Sequence, residues 1–384
     1  MSAIKPIFSD ELKTALVYDR VNTPYGGAEQ VLLSLKKLFP DAPLYTSVYQ
    51  PQKAKWAQSF TVIPSFLSKI PFFKNSHRWL LPLMPLAFES LDLSEYQLII
   101  SVTSAEAKGV LTKPNQLHLC YLLTPPRYLY DFRDEYINSA PILKKPGINS
   151  AVKKIIKYLT WWDQAAIYRP DLIIPLSKLV KSRVKKIYKL ETSNPIYPPS
   201  NVIASNTNEQ RFKQLNLPKK YLLLVSRLVP YKRVDLAIKA CLNLQRNLVI
   251  VGEGTEEKRL KKIAGNNQNI TFLPSQPQSV VNSLMKHAQL FLAPGIDDFG
   301  LSPLHANQMG TPALINKRSG VAEVFDANIQ GVVINELSVQ VVEQGIGQAL
   351  SAQYNSAKIK SCASQLTTNK FLTEFAQIIQ NEIT

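Results

Sequence analysis

Cysteine is scarce in this sequence. Its three residues in 384, Cys120, Cys241 and Cys362, lie far apart in apolar or helical surroundings. An odd count at wide spacing argues against a disulfide framework, and no metal-ligand spacing occurs. Buried bystander thiols in a reducing compartment are the expectation. Histidine is almost as rare, with four residues. Three of them, His77, His118 and His287, have no acid and nucleophile at suitable spacing, which argues against a catalytic triad and leaves them structural or surface roles. Long apolar runs are missing too: Trp79–Phe88 is ten residues and is broken by Pro82 and Pro85, too short to span a bilayer. Met1–Lys13 is polar and charged, unlike a secretory signal. A cytoplasmic protein, soluble or peripheral on the inner face of the cytoplasmic membrane, is expected.

Acids are also in short supply, 28 against 45 lysines and arginines, for a net charge of +17. Residues 1–200 hold 26 bases and 15 acids. Within them, Pro51–Leu80 and Pro141–Thr160 each carry five bases and no acid. Bulky apolar side chains interleave with these bases: Phe66, Ile70, Phe72, Phe73 and Trp79 with Lys69, Lys74 and Arg78, then Ile155, Ile156, Tyr158, Trp161 and Trp162 with Lys153, Lys154 and Lys157. Such a mixture suits an anionic membrane surface, although a merely solvated basic face reads the same way. Nucleic acid is disfavoured, because no nucleic-acid-binding motif accompanies the charge.

The apolar content of 45% with 19% charged residues is that of a globular protein, and the length points to two domains. Thr14–Tyr18 reads as a strand, Asn22–Gly27 as a glycine-bearing turn and Ala28–Phe39 as a helix, the opening of a doubly wound unit. Further strands are expected at Leu44–Val48, Leu98–Val102, His118–Leu123 and Leu172–Pro175. Helices are expected at Lys153–Tyr168 and, N-capped by Ser177, through Tyr188. Tyr197–Asn201 breaks the pattern. A second series then alternates strands at Tyr221–Val225, Leu248–Val251, Ile270–Leu273, Leu290–Ala293, Ala313–Ile315 and Val332–Ile334 with helices between them. Alternation at this spacing predicts a parallel sheet in each half. We therefore expect an α/β fold of two Rossmann-like doubly wound domains facing a cleft, spanning 1–200 and 201–366, with a helix in 367–384 packing back toward the first.

Three places in the second half carry chemistry. Ser226–Arg233 follows a strand and can aim Arg227 and Lys232 at one spot above the sheet, an arrangement suited to a diphosphate. Gly252 and Gly254 end the next strand and permit close backbone approach. Leu290–Thr311 combines a buried strand, the acidic loop Asp297-Asp298, and a helix opening near Leu301 with Pro303 in its first turn and Gly310 at its end. Strand, loop and helix N-terminus make a seat for an anionic, hydroxyl-rich ligand. The spacing Gly-x-Gly-x-x-Gly is missing after the first strand, which argues against a dinucleotide oxidoreductase.

These residues carry a resemblance. Through Ser226–Lys232, Ile250–Gly254, Asp297–Gly300 with Pro303, Gly310–Pro312 and Gly320 to Glu323, the second half resembles the family-4 retaining glycosyltransferases of the GT-B fold. The first half is similar to the mannosyltransferase-like branch of that family. There the matches are Gly26-Gly27-Ala28-Glu29, Leu38–Thr46, Ala107–Val110, Thr124-Pro125 with Arg127-Tyr128-Leu129, Trp162-Asp163, Arg169 and Ile196–Pro199.

The resemblance implies metal-independent hexosyl transfer with retention, from a nucleotide-diphosphate sugar, GDP-mannose by the branch, to a lipid-linked or glycan acceptor in cell-surface polysaccharide or glycolipid synthesis. No further cofactor is implied. It places Arg227 and Lys232 on the donor diphosphate and Asp297 on the sugar. Gly252, Gly254, Gly300, Leu301, Ser302 and His305 fall on the donor side; Gly26, Gly27, Glu29 and Arg127 fall on the acceptor side.

The chain also departs from the family pattern. The family's two glutamates are Asp297 and His305, a histidine common before Thr124-Pro125 is Leu123, and the first glycine of a Gly-Gly turn is Ser319. The alternative these departures raise is a glycosyltransferase-like chain that has lost catalysis and serves as a binding partner at the membrane.

Overall fold

The computed structural model describes residues 12–70, 81–131, 146–200 and 207–383. His77, the aromatic-basic residues Phe72, Phe73, Lys74, Arg78 and Trp79, and Asn201 of the expected linker lie outside that set. The chain divides into two compact units, Met1–Pro199 with Thr368–Thr384, and Ser200–Thr367.

In the first unit the strands β1 (Thr14–Tyr18), β2 (Leu44–Thr46), β3 (Val62–Pro64), β4 (Leu98–Thr103), β5 (Leu117–Leu122) and β6 (Leu172–Pro175) form one sheet in the order β3-β2-β1-β4-β5-β6. Every pairing in it is parallel. A parallel sheet is covered on both faces, which is why Ala15, Leu16 and Val17 of β1 are all fully buried although they alternate in direction. Ala15 and Val17 meet Phe88, Ile99 and Val110 on one face. The helices are α1 (Gly27–Leu38), α2 (Met84–Glu89), α3 (Pro146–Ala166) and α4 (Lys178–Tyr188). Ser177 caps α4 by accepting from the Val180 amide.

In the second unit, after α5 (Glu209–Gln214), come β7 (Leu222–Val225), α6 (Val234–Asn243), β8 (Leu248–Val251), α7 (Glu257–Ala264), β9 (Ile270–Leu273), α8 (Gln278–His287), β10 (Leu290–Ala293), α9 (Leu301–Gln308) and β11 (Ala313–Asn316). They are followed by α10 (Ala327–Gln330), β12 (Gly331–Ile334), α11 (Val339–Ser351) and α12 (Ser356–Ala363). The sheet is again parallel, in the order β12-β11-β10-β7-β8-β9. Leu222, Leu224, Ile250, Leu292 and Leu314 pack with Leu236 and Ile346 from α6 and α11. Each such side chain stabilises the unit by roughly 1.5–3 kcal/mol relative to exposure. The last helix, α13 (Thr368–Ile383), belongs to the first unit, where Phe371 and Phe375 pack against Tyr121 at ring-centroid distances of 5.7 and 6.1 Å.

Several short elements escaped the sequence reading, α10 among them. β3 is an edge strand ending in Pro64, tolerated only at an edge, and α2 and α12 are one to two turns long. The polar stretch expected to be linker from Ala204 to Gln214 contains α5, which Asn208 caps by accepting from the Arg211 amide.

Each sheet has one point where neighbouring strands lead their connections to opposite sides, β1 beside β4 in the first unit and β7 beside β10 in the second. Ligands of doubly wound sheets sit outside the carboxyl ends of the strands at that point.

Candidate functional site

In the second unit the carboxyl ends of β7 and β10 deliver Ser226–Lys232 and Pro294–Gly300 to that point. Pro230–Lys232 is a single 3-10 turn, and Arg233 leaves it in the left-handed conformation at φ 50° before α6 begins. The turn carries the Lys232 ammonium to Asp297, with Nζ 2.8 Å from each carboxylate oxygen. Both side chains are partly exposed, 20% and 14%, so the pair is reachable by a solute while held in a defined orientation. An ammonium carries three donors, so the pair with Asp297 does not exhaust what Lys232 can offer. Arg227 is exposed, with its guanidinium donating to the Tyr231 hydroxyl at 2.9 Å.

The loop that bears Asp297 is held tightly. Ser319 is buried, donates its hydroxyl to the Gly295 carbonyl at 3.0 Å and accepts from the Asp297 amide at 3.0 Å. The Gly320 amide donates to the Asp297 carbonyl at 3.0 Å. Gly295 and Gly320 are required by close approach of chain to chain. A Cβ at Gly295 would lie 2.4 Å from the Tyr231 carbonyl oxygen, and one at Gly320 would lie 2.1 Å from that of Asp298. The sequence reading noted Ser319 only as a departure, at the first glycine of a Gly-Gly turn. Its bridging role rests on a contact 24 residues away in sequence, and no local pattern announces it.

Gly252 and Gly254 sit beyond β8, and the atoms nearest their Cβ positions are the carbonyl oxygens of Ser226 and Leu228, at 1.9 and 2.1 Å. Glycine at these two places is therefore required by packing of the protein's own loops. Gly300, at φ 92°, caps α9, and Leu301 and Ser302 supply its first amides. His305 lies one turn further, half-buried, and its Nε2 has no hydrogen-bond partner among the described residues. Burial lowers its pKa to about 4, so the imidazole is neutral at physiological pH and offers one donor and one acceptor.

A small void of about 10 Å³, room for one water, lies behind the pair, lined by Leu224, Ser226, Lys232, Asp297 and Ser302 among others. A larger, open hollow of about 460 Å³ lies at the ends of β11 and β12, lined by Lys317, Ala322, Glu323, Val333 and Asn335. Size favours the second and chemistry the first: Lys232, Asp297 and the N-terminus of α9 converge on the β7/β10 point, which is the candidate site.

The first unit presents a different edge. Glu29 stands behind the Gly26-Gly27 turn, buried, its carboxylate accepting from Tyr18 at 2.8 Å and Thr23 at 3.2 Å. It supports the turn rather than facing outward from it. Asp19 accepts from the Thr103 hydroxyl and from the amides of Ser104 and Ala107 at 2.6, 2.7 and 2.9 Å. Arg20 pairs with Glu106 at 2.6 Å, and Tyr128 donates to the same carboxylate at 2.7 Å. Burial raises the Glu106 pKa, opposed by Arg20. Lys108 and Asp163 form a fully buried ion pair at 2.5 Å, to which Tyr130 and Tyr188 also donate, at 2.7 and 2.6 Å. Leu123 follows β5, its amide on the Thr103 carbonyl at 2.8 Å, and Arg127 is half-buried four residues on. Arg183 of α4 holds this loop through Thr124 at 2.8 Å and through Asp131. Lys108, Thr124, Tyr128 and Asp163 fell within matched motifs and Leu123 was noted as a departure, but their pairings were not visible in the sequence, because the side-chain partners are 22–88 residues apart.

Two other histidines and two thiols make contacts within their own units. His118 is buried, its Nε2 2.9 Å from the Ser101 hydroxyl, and burial lowers its pKa to about 3. His287 pairs with Glu209 at 2.8 Å and stacks on Phe212. Burial pushes the thiols of Cys120 and Cys241 up to about 12. Among the described residues, no group of three or more His, Cys, Asp or Glu could hold a metal ion, and no helix is long and apolar enough to cross a membrane.

Residues 206–365 match the family model described as glycosyl transferases group 1. An uncharacterised glycosyltransferase of Methanocaldococcus jannaschii is 26% identical over 191 residues, 46% of this chain and 49% of that protein. A GDP-mannose-dependent alpha-(1-6)-phosphatidylinositol monomannoside mannosyltransferase of Mycobacterium tuberculosis is 25% identical over 203 residues, 47% of this chain and 52% of that one. These matches span about half the length of the relatives. Among solved structures, HepE of Anabaena in complex with UDP and glucose superposes with a TM-score of 0.70 at 17% identity, covering 96% of this chain and all of that one. The fold is that of the GT-B glycosyltransferases.

Proposed function

We propose, on the match of residues 206–365 to the family model described as glycosyl transferases group 1, that this chain is a retaining, metal-independent glycosyltransferase. It moves a hexose from a nucleotide-diphosphate sugar to a lipid-linked or glycan acceptor. Mannose from GDP-mannose is the leading donor, in keeping with the mycobacterial relative; the Anabaena structure with UDP and glucose makes a UDP-sugar the competitor. The observation that carries the reading is the Lys232–Asp297 pair at the β7/β10 point, beside the N-terminus of α9.

In this reading the bond from the sugar's anomeric carbon to the diphosphate breaks. A bond from the acceptor hydroxyl forms on the same face, and the hydroxyl's proton passes to the departing diphosphate. Charge grows on the diphosphate as it leaves, so fixed cations there are worth most in the transition state. Lys232 and Arg227 fill that role, with the first amides of α9 adding partial positive charge. Asp297, oriented by Ser319, accepts from sugar hydroxyls, and neutral His305 hydrogen-bonds the ribose. The Gly26-Gly27 turn and Arg127 serve the acceptor, which is borne at an anionic membrane surface.

A thermal-shift panel of GDP, UDP, ADP and their hexose conjugates tests this. One base series should raise the melting temperature at saturating ligand by mass action. No shift with any of them at millimolar concentration would contradict it.

One observation favours the alternative, a partner protein without turnover: Leu123 has a side chain that cannot exchange a proton where the family pattern implies a histidine. Restoring Leu123→His and His305→Glu together discriminates the two. Transfer by the parent supports the enzyme; transfer only by the double variant supports the partner reading.

A further inference from the structure

The open hollow of about 460 Å³ at the ends of β11 and β12 has no part in the transfer reaction. Its volume is that of a small-ligand site. Lys317 borders it just after β11 and Asn335 just after β12, the edge strand of the sheet. Val333 of β12 and Ala322 and Glu323 of the 3-10 turn Gly320–Glu323 complete the lining. The Lys317 amide donates to the Ile334 carbonyl at 2.8 Å and ties the two strand ends together. Lys317 and Asn335 are exposed, and neither side chain is engaged in an ion pair or hydrogen bond among the described residues.

This lining disfavours most ligand classes. A phosphate or carboxylate would gain from Lys317 and be repelled by Glu323; a metal ion or ammonium would meet the reverse conflict. An apolar ligand would cover three polar side chains without giving them partners. A neutral, polyhydroxylated ring suits every group. A hydroxyl both donates and accepts, so neighbouring hydroxyls can accept from Lys317, donate to Glu323 and do both with Asn335. Ala322 and Val333 offer an apolar patch to the C–H face of such a ring.

The hollow shares a wall with the candidate site. The Gly320 amide donates to the Asp297 carbonyl at 3.0 Å, and the Val321 amide to the Phe299 carbonyl at 2.8 Å. Ser319, at the head of the same turn, bridges the Gly295 carbonyl and the Asp297 amide. One end of the turn therefore borders the hollow while the other holds the loop that bears Asp297. No slack separates turn and loop, since a Cβ at Gly320 would lie 2.1 Å from the Asp298 carbonyl oxygen.

We propose that this hollow is a secondary saccharide site, which takes a neutral hexose ring such as the end of a glycan chain. Its occupancy holds the turn Gly320–Glu323 in place, stiffens the Asp297 loop and raises the affinity for the nucleotide. The coupling rests on the donor-site reading; the saccharide binding does not.

Ligand-observed NMR titration of the full chain, without nucleotide, tests the binding. The probes are methyl α-mannoside, methyl α-glucoside and glucose 6-phosphate. The expected result is saturable binding of the neutral glycosides at millimolar concentration and weaker binding of the phosphate. Lys317→Met and Asn335→Ala should each lower glycoside affinity several-fold, whereas Lys232→Ala should leave it unchanged. Both variants of the hollow alter surface side chains, and an unchanged melting temperature shows that each is folded. No saturable binding by the parent, tighter binding of glucose 6-phosphate, or affinity unchanged in both variants overturns the site. Calorimetric titration of the nucleoside diphosphate with and without saturating glycoside reads the coupling. Nucleotide affinity should rise by about fivefold or more, and glycoside affinity by the same factor when nucleotide is bound. Lys317→Met should abolish the effect. Equal nucleotide affinity with and without glycoside overturns the coupling. A chain that binds glycoside but no nucleotide keeps the site and loses both the coupling and the transferase reading.

Discussion

The carboxyl edges of the two sheets occupy equivalent places in equivalent topologies and are built in opposite ways. At the first, the charges are spent on the protein itself: Asp19 gathers three donors from the loop after β4, Lys108 and Asp163 are buried together, and Glu29 is closed under its own turn. At the second, the loops are packed backbone to backbone through Gly295 and Gly320, and Lys232, Asp297 and Arg227 remain accessible. A buried charge network fixes shape and can be removed only at high cost. An accessible pair on a rigid loop can exchange its partner for a ligand's. The same topology thus supports a scaffold edge in one unit and a ligand-ready edge in the other.

The largest effect should come from the scaffold edge. Lys108→Met leaves Asp163 charged and buried, costing about 3–5 kcal/mol, and the melting temperature should fall sharply. A melting temperature near that of the parent would remove the contrast. Next is the ligand-ready edge: Lys232→Ala should reduce turnover by about 10²–10³-fold, the scale of losing one preorganised charge contact, with little change in melting. If the variant instead melts like Lys108→Met, the pair belongs to the scaffold and the comparison fails.

A smaller effect tests the histidines, one in each unit. The folded pKa values of His118 and His305, about 3 and about 4, lie below the ordinary 6.5. The unfolded chain therefore binds more protons between those values, and stability must fall as pH drops below about 6.5. Over one pH unit below that point each histidine contributes roughly 1 kcal/mol of loss, and His305→Gln should flatten its share of the slope in a melting series from pH 7 to 5.5. The smallest effect is that of Ser319→Ala, which breaks one bridge worth about 1 kcal/mol. It should raise the KM for the donor more than it lowers kcat, because it loosens Asp297 without removing it.

The strands were readable because buried parallel strands are short apolar runs bounded by turn residues. Leu290–Ala293 and Leu172–Pro175 have the expected bounds. Lys232 and Asp297 could be singled out because both lie in the loops that follow such strands, and the structure pairs them. The network of Arg20, Glu106, Lys108 and Asp163 was not, since each member finds its partner across a crossover, 55 residues away for Lys108 and 86 for Arg20. Nor was the reason for Gly252 and Gly254: the sequence suggested room for a ligand, and the structure fills that room with the carbonyls of Ser226 and Leu228.

The central claim is that Lys232, though paired with Asp297, stands ready for a diphosphate. Calorimetric titration of the nucleoside diphosphate selected by the thermal-shift panel into the parent and into Lys232→Ala tests it most directly. The account predicts binding by the parent and an affinity about tenfold to a hundredfold lower in the variant, the scale of a hydrogen bond to a charged group. Equal affinity in the two proteins would contradict it.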